Sequence, residues 1–163
     1  MPKNQVVLLA TPLSLDSACK IIDGALDAGR KAELLPLTVV VVDTGGHIIA
    51  LKREDGSGIA RVEIATGKAA GALGVGMAGR TLKERFSARV GFQAAVASAT
   101  NGRFMAAPGG VLILNESGVG IGAVGVSGDA SDKDEYAAIE GVKAAGMVPE
   151  PISPAEGWED APL

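Results

Sequence analysis

Apolar residues recur at three- and four-residue intervals from Leu15 to Gly29 (Leu15, Ala18, Cys19, Ile22, Ala25, Leu26), the spacing of an amphipathic helix face. Ser14 or Asp16 can cap its start, and Pro36 stops it. From Leu37 to Val42 the pattern becomes one continuous, mostly β-branched run, which predicts a buried strand. Asp43-Thr44-Gly45-Gly46 supplies turn chemistry, and His47–Lys52 returns as a second strand, so residues 37–53 read as a hairpin. A polar loop, Arg53 to Gly58, leads into an alanine-rich helix from about Ile59 to Leu73. A glycine-laden break, Gly74 to Gly79, precedes a helical stretch over roughly 81–100, one helix or two because Gly91 interrupts it.

The segment Gly102–Ala107 reads as a short edge strand. Then come two apolar runs joined by a short polar turn, a second hairpin over 110–127. Glycine-rich breaks bracket it, Pro108-Gly109-Gly110 before and Ser127-Gly128-Asp129 after. A last helix runs from about Asp132 to Ala145, with Gly146 as its C-terminal stop. Helix, hairpin, helices, hairpin, helix is an α+β order with an antiparallel sheet, not a doubly wound one. The segment Pro149–Leu163 holds four of the eight prolines and reads as a loose or partner-clasping extension. The expected organisation is one domain over 1–148 with a Pro-rich extension over 149–163.

Composition narrows this picture. A length of 163 residues suits one domain, and 47% hydrophobic residues allow a core without staples. Aromatics are only 3% and glycines number 23, so that core is aliphatic and small. The net charge is −4 and no basic stripe is present, which argues against nucleic acid. Arg80 to Arg89 alternates with Glu84 and apolar residues, as a solvated helix face does. The single cysteine, Cys19, cannot form an internal disulfide and fits a reducing compartment. Residues 1–16 lack the apolar core of a signal peptide, and no apolar run reaches the roughly 20 residues of a membrane span. A cytoplasmic protein is the expectation.

Two stretches match G-x-G-x-x-G: Gly74, Gly76, Gly79 and Gly120, Gly122, Gly125. The pattern binds pyrophosphate only between a strand and a helix that it opens. The first match follows a helix and the second lies inside a strand, so both read as decoys. Lys68, with Ile64, Ala65 and Ala69 around it, is either a core-facing ammonium that acts as a base or binds a carboxylate, or a snorkelling surface residue. Arg53 can clamp a carboxylate or pair with Glu54 or Asp55 to lock its loop. Asp129, Asp132, Asp134 and Glu135 form an acidic cluster that either holds a hard cation or caps the last helix, with Ser131 and Asp134 spaced like a capping box. Ser127 has no second histidine or nearby base to make a hydrolytic triad. The amides of Gly109, Gly110, Ser127 and Gly128 can form an anion nest or simply permit tight turns.

Several segments in this order resemble the GlcG/HbpS-like family, often labelled haem-binding or haem-degrading. They are the first helix, VVVVDTGGHIIALKRED, the helix around Ile64–Ala69, PGGVLI and GAVGVSGDASDKDE. The same domain ends some cobalamin adenosyltransferases of the PduO type. The match spans about residues 13–147. It implies a profilin-like or PAS-like five-stranded antiparallel sheet with packed helices. It also implies homo-oligomers, from dimers to rings or octamers. The expected function is binding of haem or another small, anionic, partly apolar ligand. His47, the only histidine, is the candidate iron ligand, ahead of Cys19, Tyr136 and the methionines. Arg53 and Lys68 are the candidates for holding carboxylates, and the loops at Gly109, Gly110, Ser127 and Gly128 for shape and amide donors. Two alternatives stand beside it. One is an enzyme acting on a small carboxylate metabolite, with Lys68 and Arg53 as catalytic residues. The other is an accessory protein whose assembly is its function.

Overall fold

Ser14 starts the first helix as the spacing predicts: its hydroxyl accepts the Ser17 backbone N–H at 3.1 Å, and α1 runs Leu15–Lys31. The computed structural model describes residues 7–163; residues 1–6, the start of the segment read above for a leader, lie outside the described residues. The first hairpin is β1 (Thr38–Val42) and β2 (Ile48–Arg53), and the second is β3 (Gly110–Leu114) and β4 (Gly120–Ser127). With β5 (Val148–Glu150) they make one antiparallel sheet in the order β2-β1-β4-β3-β5. The fold is α+β, as the element order implies.

The unbroken valine run of β1 follows from burial on both faces, since alternate side chains point to opposite sides of a strand. Val40 and Val42 pack with Leu112 and Ala123 against Ala65, Ala69 and Ala72 of α2 (Arg61–Val75). Val39, Val41, Val124 and Val126 pack against α1 and α5 (Ser131–Ala144) through Ile21, Ile22, Ile139 and Val142. On the α2 side the fit depends on missing side chains. A Cβ on Gly125 would lie 1.9 Å from the Ala65 carbonyl oxygen, and one on its β3 partner Gly110 would lie 2.3 Å from that of Lys68. Gly125 belongs to one of the two dinucleotide-like patterns, and it serves helix–sheet contact.

The stretch over 81–100, open between one helix and two in the sequence, is two: α3 (Gly79–Phe86) and α4 (Val90–Ala99), with the break at residues 87–89 and Gly91 inside α4. The structure differs from the sequence reading in three places. Residues 102–107 are not a strand: the Met105 N–H donates to the Gly67 carbonyl at 3.0 Å, and Phe104 packs with Leu82 and Phe86. The chain therefore crosses α2 there, and β5 takes the β3 edge instead. The last segment is consequently not loose throughout. It begins as that fifth strand and later stacks Trp158 on Tyr136 with ring centroids 3.8 Å apart. Finally, Ser131 is the first residue of α5, and the preceding Ala130 offers no side-chain cap.

Candidate functional site

The sheet separates the predicted site residues into two groups. Thr38 pairs with Arg53 on one side and Ser127 on the other, so these three form a row at one end of the strands. His47 belongs to the turn beyond Val42, at the opposite end. Four residues of strand separate the two ends, about 13 Å at ~3.3 Å per residue.

At the Ser127 end the polar groups are closely tied to one another. The Arg53 guanidinium donates to the Ser57 carbonyl at 3.1 Å, and the Ser57 and Thr38 hydroxyls share a hydrogen bond of 2.8 Å. Arg61, at the start of α2, donates to the Ser127 hydroxyl at 3.2 Å. Gly128 lies against the Pro36 carbonyl, where a Cβ would approach to 2.4 Å. Lys68 is buried, and its ammonium donates to Asp134 at 2.8 Å. The other Asp134 oxygen accepts the Asp129 N–H at 3.0 Å, and Asp129 accepts the Leu35 N–H at 2.8 Å. Asp134 thus reaches back before its helix as a capping residue would, but it also neutralises Lys68.

Lys68 and Asp134 come from helices on opposite faces of the sheet. They meet around Gly109, whose φ of +101° and missing side chain make room: a Cβ there would lie 3.0 Å from the Lys68 nitrogen and 3.0 Å from the Asp134 Cβ. Burial raises the Asp134 carboxyl above its ordinary range, against the pull of Lys68. Arg53 sits on the far strand, engaged with its own loop, so the two candidate carboxylate clamps do not converge. Among the described residues no group of three or more His, Cys, Asp or Glu is placed to hold a metal ion.

At the other end the turn is built on Asp43. Its carboxylate accepts the Gly45 N–H at 2.8 Å and the His47 N–H at 3.0 Å; these bonds, that of His47 foremost, hold its pKa below the ordinary value. The His47 Nδ1 lies 3.4 Å from the same carboxylate, and its ring is 77% exposed. A carboxylate at that nitrogen favours the proton on Nδ1 and leaves Nε2 with the lone pair. Arg103 donates to the Gly46 carbonyl at 2.6 Å, placing a guanidinium beside the turn. Thr44, Gly45, Ala70, Leu73, Thr100 and Arg103 line a depression of about 310 Å³ there. Sequence reasoning missed Arg103 and Arg61. Neither stands in a motif, and each acquires its position only through a contact 57 or 66 residues away.

The family model described as haem degrading protein HbpS-like matches residues 13–143. The chain belongs to the HbpS-like family. Solved structures share its architecture. A PduOC–haem complex is 21% identical with a TM-score of 0.71, over 83% of this chain and 96% of that one. Klebsiella pneumoniae protein ORFY is 21% identical with a TM-score of 0.74, over 90% and 97%. A double mutant of Streptomyces reticuli HbpS is 25% identical with a TM-score of 0.69, over 86% and 90%. No curated protein matches the chain in sequence. In this HbpS-like chain the segments PGG and SGD border the buried Lys68–Asp134 pair, and the DTGGH segment builds the exposed turn. Among the described residues no helix is long and apolar enough to cross a membrane.

Proposed function

We propose that this chain binds haem at the His47 end of the sheet, with His47 Nε2 as iron ligand and Arg103 as partner of a propionate. The observation that carries this reading is the Asp43–His47 pair. An exposed imidazole oriented through Nδ1 by an ionised carboxylate is the usual arrangement of a histidine that ligates metal. Membership of the HbpS-like family and the haem complex of a structural neighbour support the choice of haem among small anionic ligands. The residues fit the group in part. The depression of about 310 Å³ is at the small end of the ~300–1,000 Å³ usual for ligand pockets, so it would admit only one edge of a porphyrin.

A second surface completes such a site. α4 carries no charged residue, none of its residues is buried, and it leads directly to Thr100 in the wall of the depression. We infer a homo-oligomer in the cytoplasm, with α4 as the contact between copies.

Titration of haemin into the purified apo protein tests the proposal. The expected result is a shifted Soret band that saturates near equimolar haem, an altered spectrum in His47→Ala, and weaker binding with an unaltered ligand spectrum in Arg103→Ala. Broad absorption that never saturates sinks the haem reading; an unchanged His47→Ala spectrum removes His47 as ligand.

A further inference from the structure

Glu135 is fully buried on α5, and neither of its carboxylate oxygens has a hydrogen-bond partner among the described residues. Such a group calls for an explanation, because buried polar atoms are ordinarily paired. From α3, the Arg80 Nε stands 3.5 Å from one oxygen. Asp132 is close on α5 itself, and Lys68 contributes more distantly from α2. The Ala155 N–H approaches without reaching hydrogen-bonding geometry. Ala138, Ile139 and Val142 of the same helix pack in the apolar core with Ile21 and Ala25 of α1 and Val111 and Val124 of the sheet.

Residues 151–163 approach Glu135 through Ala155. No residue of 151–163 is buried. Arg80 donates to the Ser153 carbonyl at 3.0 Å, and Trp158 stacks on Tyr136, the neighbour of Glu135 in sequence. Ala155 borders a cleft of about 450 Å³ with Arg80, Lys83 and Pro108; Ala161 to Leu163 border the adjoining one with Arg61 and Lys83. The segment contains Glu156, Glu159 and Asp160 and no basic residue.

We propose that residues 151–163 form a strap that closes over Glu135 when its carboxyl is protonated and lifts when it ionises, uncovering the cleft between α3 and α5. Burial pushes the Glu135 pKa up to about 7, against the attraction of Arg80. With the strap lifted, water reaches the carboxylate and its pKa returns toward the ordinary 4.5. Between those values the closed form holds a proton that the open form does not. The opening constant therefore rises as pH rises, by up to about tenfold per unit, and levels off above the closed-state value. Over the whole window this is roughly two to three orders of magnitude. With no buried residue, and Trp158 as its side chain packed against the core, the segment has few of the buried apolar contacts that resist local opening, so a bias of that size can open it. Repulsion between ionised Glu135 and the acidic strap acts in the same direction. The strap stands apart from the His47 end and does not depend on haem.

Trp158 is the only tryptophan, so its emission reports the strap directly. In the apo protein at fixed ionic strength, acrylamide quenching of Trp158 should increase from pH 5 to pH 8, with secondary structure unchanged. Glu135→Gln should hold quenching low across the range. Equal pH dependence in Glu135→Gln, or flat quenching in the unmodified chain, overturns the proposal. Carboxyl NMR covers the case where Glu135→Gln fails to fold. Trp158→Ala, which loosens the strap and leaves Glu135 in place, should return Glu135 titration toward that of an exposed glutamate; an unmoved titration refutes the coupling.

Discussion

Lys68→Met removes the ammonium from the buried pair while keeping most of the apolar stem. Asp134 is then left as an uncompensated carboxylate, 1% exposed, with only the Asp129 N–H as a resolved hydrogen-bond donor. Breaking a buried ion pair from one side costs about 3–5 kcal/mol. Asp134→Asn leaves Lys68 stranded and should cost a similar amount, since Asn still accepts the Asp129 N–H. The double variant removes both charges, so its loss should be well below the sum of the two, by about 2–3 kcal/mol of coupling. Urea unfolding at constant m-value measures each term. The pH dependence has a definite sign. Without Lys68 the Asp134 carboxyl, already raised by burial, rises further. A folded-state value above the unfolded one gives stability that is present below the ordinary 3.8 and lost as pH rises through the folded value. Lys68→Met should therefore be destabilised more at pH 8 than at pH 4.5. A cost below about 1 kcal/mol, or strictly additive single and double variants, would refute the pair as the clamp between the two faces.

Gly109→Ala should destabilise by at least about 1–3 kcal/mol, because a positive φ is strained for alanine and its Cβ presses on both members of that pair; thermal unfolding reads it. Gly125→Ala should be worse still, since the Ala65 carbonyl 1.9 Å from the new Cβ is helix backbone and cannot swing aside; an unshifted Tm would contradict the packing argument. Phe92→Glu puts a charge on the apolar α4 surface and should lower the mass seen by light scattering while leaving the circular dichroism intact. An unchanged mass removes α4 as the contact between copies.

Elements with strong local period were legible in the sequence. α1 has its cap and stripe, β1 its β-branched run, and both hairpins their turn residues, so all four fell near their observed limits. Residues 102–107 misled because their apolar character is spent against α2 and α3, not on a sheet edge. Val148–Glu150 was missed because three residues containing a proline carry no periodicity, and only the open edge of β3 makes them a strand. At the site, Lys68 and Asp134 were each noticed. Their partnership was not, because a contact between residues 66 apart has no local signal. Asp43 reads as a turn residue in the sequence, and the same turn is what sets its carboxylate against the His47 ring.

The Lys68–Asp134 pair also changes what the glycine-rich rims mean. Gly109 and Gly110 admit a lysine and a helix backbone, and the Ser127–Asp129 loop ends in a carboxylate bonded to Leu35 and Ala130. The side chains of Ser127, Asp129 and Asp134 there are bonded within the fold. The His47 turn is the reverse case. Its carboxylate is satisfied by the turn itself, and its imidazole is what remains exposed. The two rims of one sheet thus differ: the Ser127 rim joins its two helix layers through Lys68 and Asp134, and the His47 rim presents the exposed imidazole on which the proposed haem site rests.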